Sequence, residues 1–91
     1  MENTDLYING KWVPGSSGKR FDVFNPADET VLASVASAEI EDAELALDAA
    51  EAAFESWASR APRDRAEVLR NAFELMSAQQ EKFARLITLE N

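Results

Sequence analysis

Leu6-Tyr7-Ile8-Asn9-Gly10-Lys11-Trp12-Val13 reads as two short strands closed by a tight turn. Asn-Gly is the preferred pair for a type I′ hairpin, where both central residues take positive φ. Tyr7, Ile8, Trp12 and Val13 are strand formers on either side of it. Pro14-Gly15-Ser16-Ser17-Gly18 is a loop by composition. Phe21–Phe24 is the next strand, with Phe21 and Val23 on its apolar face. Asn25-Pro26 ends it, because the residue before a proline is pushed out of the helical region. Ala27-Asp28-Glu29-Thr30 makes a turn, and Val31–Ala36 returns as a strand. Residues 5–36 are thus expected to form β-hairpins. A two-stranded ribbon alone is marginal in water, so these need support from elsewhere in the chain.

Beyond Ala36 the apolar period changes. Helix A is expected over 37–59, with Ser37 as N-cap and Glu39, Glu41 and Asp42 suiting the positive end of the macrodipole. Ile40, Ala43, Leu47, Ala50, Phe54 and Trp57 form its expected core face, and Glu41, Glu44, Asp48, Glu51 and Glu55 the opposite, solvated one. Ala46, Ala49 and Ala53 add a stripe that another backbone could approach. Helix B is expected over 62–91, opened by Pro62 at its first position. Its apolar stripe, Leu69, Phe73, Met76, Phe83 and Ile87 with Ala72, Leu75 and Leu86 beside it, is wide enough for burial on more than one side. The short Ser59–Ala61 connection predicts that A and B are antiparallel neighbours. The reading is one α+β unit over 1–91: two β-hairpins followed by an antiparallel pair of long helices, with no second domain.

Composition narrows the function. Seventeen acidic residues against nine basic ones give a net charge of −8. That argues against a nucleic-acid or anionic-membrane partner, each of which needs a clustered basic face. The acidity is local, since residues 37–59 hold no Lys or Arg. There is no cysteine and no histidine, so the chain lacks a thiol nucleophile, a thiolate metal site and the usual neutral-pH base. The N-terminus has neither the basic nor the apolar part of a signal peptide, and no run is long enough to span a membrane, so the cytoplasm is the default location.

Few side chains suggest chemistry. Glu51 and Glu55 are a carboxylate pair at i, i+4 with no histidine to complete an acid–base or metal site. Arg60, Arg63, Arg65 and Arg70 could hold an anion, but surface pairing with Asp64, Glu67 and Glu74 is the simpler expectation, with Glu67 and Arg70 facing one another. Trp57 could be a stacking platform, but it shares a stripe with Leu47 and Phe54, which favours packing.

The ordered set Tyr7-Ile8-Asn9-Gly10-Lys11-Trp12 and Phe24-Asn25-Pro26-Ala27 resembles the start of the aldehyde dehydrogenase superfamily. So do Asp48-Ala49-Ala50 leading through Ala53-Phe54 to Trp57, Pro62 with Arg65-Ala66 and Leu69, and Leu86-Ile87-Thr88-Leu89-Glu90-Asn91. The wording is most similar to the succinate-semialdehyde dehydrogenase branch. The resemblance runs from Leu6 to the last residue and matches the opening part of a family member. It implies part of a Rossmann-like cofactor-binding domain in an oligomeric enzyme that oxidises an aldehyde to its acid with NAD or NADP. In such enzymes a cysteine thiolate attacks the aldehyde, hydride passes to the nicotinamide, and a glutamate activates water. None of those residues, nor the cofactor loop, has a counterpart here, so these residues alone are expected to bind no cofactor and to be catalytically silent. The resemblance also implies a monovalent-cation site at the main-chain carbonyls of Val23 and Phe24, completed by an acidic partner outside the chain. The plainer reading is that both are ordinary strand residues.

As the opening of such an enzyme the chain is scaffold, and its apolar helix faces are expected to be exposed and to drive self-association. The alternative is a complete small acidic helical-hairpin module that binds a partner helix without catalysis.

Overall fold

The computed structural model describes residues 3–91. Seven elements follow in order: β1 (Leu6–Ile8), β2 (Lys11–Val13), β3 (Arg20–Phe24), β4 (Val31–Ala36), α1 (Ile40–Ala58), α2 (Pro62–Ala78) and α3 (Gln80–Glu90). The strands make two antiparallel ribbons, β1–β2 and β3–β4. No parallel strand pair forms among the described residues, so the parallel layer of a Rossmann-like sheet is not built within them.

The first ribbon follows its turn chemistry. Asn9 (φ 52°) and Gly10 (φ 76°) both take the positive φ that a type I′ turn demands. The turn sets the register Leu6–Val13, Tyr7–Trp12 and Ile8–Lys11. It places the Tyr7 and Trp12 rings 4.9 Å apart at 54°, a tilted aromatic pair of the kind that stabilises cross-strand contacts.

The second ribbon is closed by backbone bonds from the Asn25 amide to the Thr30 carbonyl (2.8 Å) and from the Glu29 amide to the Asn25 carbonyl (2.7 Å), and by side chains. The Asn25 carboxamide oxygen accepts the Ala27 amide at 2.9 Å, and Asp28 Oδ1 accepts both the amide (3.1 Å) and the hydroxyl (2.7 Å) of Thr30. Those Thr30 bonds hold the Asp28 carboxyl below its ordinary pKa. They let Glu29 sit at φ 62°, a left-handed conformation uncommon for a residue with a Cβ. The ladder shifts register between Val23 and Phe24, which pair with Ala33 and Val31.

The helices depart from expectation in three ways. First, α1 starts at Ile40 with Glu39 as N-cap rather than Ser37. The Ser37 amide is taken by the Lys19 carbonyl at 2.9 Å, and Asp42 accepts the Glu39 amide at 2.8 Å, moving the helix start toward its C-terminal side. Second, the single helix expected over 62–91 is two. Gln79 (φ −112°, ψ 22°) breaks it, and its amide donates to the carbonyls of Met76 and Ser77. Neither glycine nor proline marks the break, because that backbone region is open to any residue. Third, α1 and α2 do not pack along their lengths, so the antiparallel helix pair expected over 37–91 does not form a packed hairpin.

The molecule is consequently open. Its radius of gyration is 16.5 Å, against about 12 Å for a compact chain of this length. The expected core face of α1 lies bare, with Ile40 79%, Leu47 69% and Phe54 69% exposed. Packing on α1 comes instead from the other side, where β1 lies against it. A cleft of about 490 Å³ remains there between Ile8, Val13, Pro14, Leu45 and Ala49. Ala49, on the predicted small-residue stripe, is half-buried, and so is Trp57.

Candidate functional site

The best-built polar site joins the ribbons to α1. Gly15 is buried in the loop after β2, and a Cβ at that position would lie 2.5 Å from the Ser37 carbonyl oxygen. Only glycine lets the two backbones come so close. The approach delivers Ser16 to the first turn of α1. There the Asp42 carboxylate, 4% exposed, accepts the Ser16 amide at 3.1 Å on each oxygen. It also accepts the Ser16 hydroxyl at 3.1 Å and the Glu39 amide at 2.8 Å. The Glu39 amide bond, then the Ser16 amide bond, hold its carboxyl below the ordinary value, outweighing desolvation. Asp42 is therefore a charged, saturated acceptor, and its role is to fix geometry.

Arg20 ties the same region from the other side. Its guanidinium donates to Asp5 Oδ1 and the Ser34 carbonyl, each at 2.8 Å, and to the Thr4 hydroxyl. The Ala36 amide donates to the Thr4 carbonyl at 2.9 Å, so residues 4–5 are pinned along β4. The sequence reading missed this network. It placed Asp42 at α1 only for the macrodipole, and residues 26 apart carry no local signal of their pairing.

The Gly15–Gly18 loop lies at a helix N-terminus, where a phosphate-binding loop could sit, and the residues do not suit one. Ser16, Ser17 and Lys19 line a recess of about 470 Å³ there together with Glu39 and Glu41. The Ser16 and Glu39 amides, the donors a pyrophosphate would need, are already used by Asp42. A nicotinamide dinucleotide therefore finds no cradle at this loop, and no step of chemistry is routed through one.

Val23 and Phe24 flank the register shift in the second ribbon, Val23 half-buried and Phe24 exposed. No group of three acidic side chains able to hold a metal ion gathers among the described residues. Glu51 and Glu55 remain an exposed pair on α1.

Of the four arginines, Arg63 and Arg70 line one shallow recess of about 280 Å³, with Glu67 between them. Arg60 stands 5.5 Å above the Trp57 ring, and Arg70 lies 5.7 Å from the Phe73 ring while its Nε donates to Glu74 at 3.1 Å. Arg70 thus pairs with Glu74, one of the carboxylates expected to pair with these arginines, rather than with Glu67, which was expected to face it. Arg65 is half-buried rather than a surface partner, and its Nε is enclosed without an acceptor. No helix is long and apolar enough to cross a membrane.

A model of the aldehyde dehydrogenase family matches residues 12–91. Among curated relatives, a malonate-semialdehyde dehydrogenase of Bacillus velezensis is 42% identical over 93% of this chain and 18% of its own length. A succinate-semialdehyde dehydrogenase (NADP+) of Escherichia coli is 41% identical over 91% of this chain and 17% of its own length. Among solved structures, an aldehyde dehydrogenase of Bacillus cereus superposes with a TM-score of 0.93 at 39% identity, covering 99% of this chain and 19% of that one. An NADP-dependent enzyme of E. coli gives the same score and identity over 97% of this chain and 18% of its own. The chain thus spans less than a fifth of the length of the relatives it matches.

Proposed function

This chain belongs to the aldehyde dehydrogenase family, and from that premise we propose that it is the N-terminal scaffold segment of an NAD(P)-dependent enzyme oxidising a carboxylate-bearing aldehyde, succinate semialdehyde among them, to its acid. The observation that carries the reading is the match of nearly the whole chain, in sequence and in backbone, to the same fraction of several semialdehyde and aldehyde dehydrogenases. Relatives solved with NAD support the cofactor class. In this reading the nucleophile, the base and the cofactor cradle lie in other parts of the enzyme. These residues supply a surface element whose ribbons are locked to α1 through Asp42. The carbonyls of Val23 and Phe24, beside the register shift, contribute to a monovalent-cation site completed by an acidic group elsewhere.

The test is the protein isolated from its own source. An intact mass several times 10.1 kDa, with succinate- or malonate-semialdehyde-dependent reduction of NAD or NADP, supports the proposal. A mass of 10.1 kDa without such activity overturns it. The cation assignment fails if replacing sodium and potassium with choline changes neither activity nor melting temperature.

A further inference from the structure

Burial on α2 is inverted. From Pro62 to Ala78 every residue is exposed except Arg65, which is half-buried, while Leu69, Phe73 and Met76 of the same helix lie bare. The Arg65 Nε is enclosed, with no acceptor among the described residues. A guanidinium keeps its charge at any ordinary pH, so it cannot escape burial by losing a proton, and an enclosed donor without an acceptor is destabilising. We infer that a carboxylate from the part of the enzyme outside these 91 residues pairs with Arg65 and anchors that part on α2. The inference rests on the reading above that these residues are one segment of a longer enzyme.

The helix offers no partner of its own. Side chains three and four positions apart on a helix are neighbours, whereas those one or two apart do not face each other. The residues three and four from Arg65 are Ala61, Pro62, Val68 and Leu69, none of them acidic. Asp64 and Glu67 stand one and two positions away, and both are exposed. Glu74 is taken by Arg70. The first turn of α2 is also the positive end of its dipole, which adds to the charge instead of offsetting it. Leu69 and Phe73 follow Arg65 at intervals of four, so the guanidinium heads the apolar stripe of α2. The backbone superposes on the Bacillus cereus aldehyde dehydrogenase with a TM-score of 0.93 while covering 19% of that chain, so the open arrangement is one that a longer enzyme keeps. Whatever covers the stripe there also covers Arg65. A charge taken from water is tolerated only when it is paired and hydrogen-bonded, and the planar fork of a guanidinium fits the two oxygens of a carboxylate.

The test uses the full-length enzyme carrying Arg65→Met, Arg65→Lys or, as an exposed control on the same helix, Arg63→Met. Arg65→Met should lower the melting temperature by roughly 5 °C or more, and Arg63→Met by no more than about 1 °C. Arg65→Lys should recover part of the loss, because it keeps the charge without the fork. A crystal structure of the unsubstituted enzyme should place an Asp or Glu oxygen within about 3.2 Å of the Arg65 guanidinium. Neutralising that carboxylate should then add little to Arg65→Met. The inference is overturned if Arg65→Met melts with Arg63→Met, or if only carbonyls and water meet the guanidinium. Where Arg65→Met does not fold, the crystal structure decides. An active semialdehyde dehydrogenase that leaves Arg65 in solvent sinks this inference alone, whereas an inactive protein of 10.1 kDa sinks the reading beneath it as well.

Discussion

The ribbon–α1 junction and the α2–α3 arm carry similar local signals and reach opposite outcomes. At the junction every hydrogen-bonding feature converges. A buried glycine allows close approach, Asp42 takes four hydrogen bonds from two partner residues, and Arg20 closes the far side. Along α2 and α3 the apolar stripe is as regular as any in the chain, yet Leu69, Phe73, Met76 and Ile87 face solvent. Periodicity announces that a face wants burial, but it does not say against what. A polar lock of complementary donors and acceptors names its own partner, so it forms within the chain. An apolar stripe names none.

That contrast predicts that the junction is sensitive to single changes. Asp42→Ala should have the largest effect. It leaves the Ser16 and Glu39 amides without their acceptor and unties the loop after β2 from the first turn of α1. The melting temperature should fall by roughly 10 °C or more, and exchange at those two amides should accelerate first. Asp42→Asn, which keeps one acceptor oxygen, should fall between the two. If Asp42→Ala melts like the parent, the junction is not what holds the ribbons.

Acid should reproduce part of that loss without a mutation. The folded-state pKa of Asp42 lies below its unfolded value, so its contribution is complete above about pH 4. It is lost as pH falls through the folded pKa. A urea midpoint that declines below that pH in the parent, and declines less in Asp42→Asn, is the expected pattern. Asp28 is depressed in the same direction by Thr30, so the Asn variant should retain a smaller residual slope.

Two glycines should rank next. Gly15→Ala would set a methyl against the Ser37 carbonyl, and the forced backbone shift should cost about 1–3 kcal/mol in urea denaturation. Gly10→Ala meets no neighbour, so only its positive φ is at stake. About 1 kcal/mol is expected, with fraying confined to the first ribbon. If Gly10→Ala proved the costlier, backbone strain rather than close approach would govern this half of the molecule.

The elements legible in the sequence were those fixed by neighbours in the chain. Asn9-Gly10 declared its turn, Asn25-Pro26 closed β3, and Pro62 opened α2. The family was legible through ordered short motifs. Two features were not. The Asp42–Ser16 lock joins residues remote in sequence, so its only trace was an aspartate three residues after an extended Glu39, the spacing of a helix-capping pair. The break at Gln79 left no trace, because no side chain there restricts the backbone. For α1 the apolar face was legible, and so was its exposure as the face of a scaffold segment. The packing of α1 along α2 was expected and is absent, since burial depends on what else is present.

The smallest effect should come from the Arg70–Glu74 ion pair of the arm. Arg70 and Glu74 are one turn apart on α2, 3.1 Å between Nε and Oε1, and both are well exposed. Solvent and salt screen such a pair, and holding two long side chains together opposes the gain. Glu74→Ala should therefore shift stability by no more than about 0.5 kcal/mol. Arg70→Ala should cost slightly more, because it also removes the guanidinium from the Phe73 ring. Both shifts should shrink in high salt. A loss from Glu74→Ala comparable to that from Gly15→Ala would mean that the arm, like the junction, is organised by polar contacts, and the distinction between the two regions would fail.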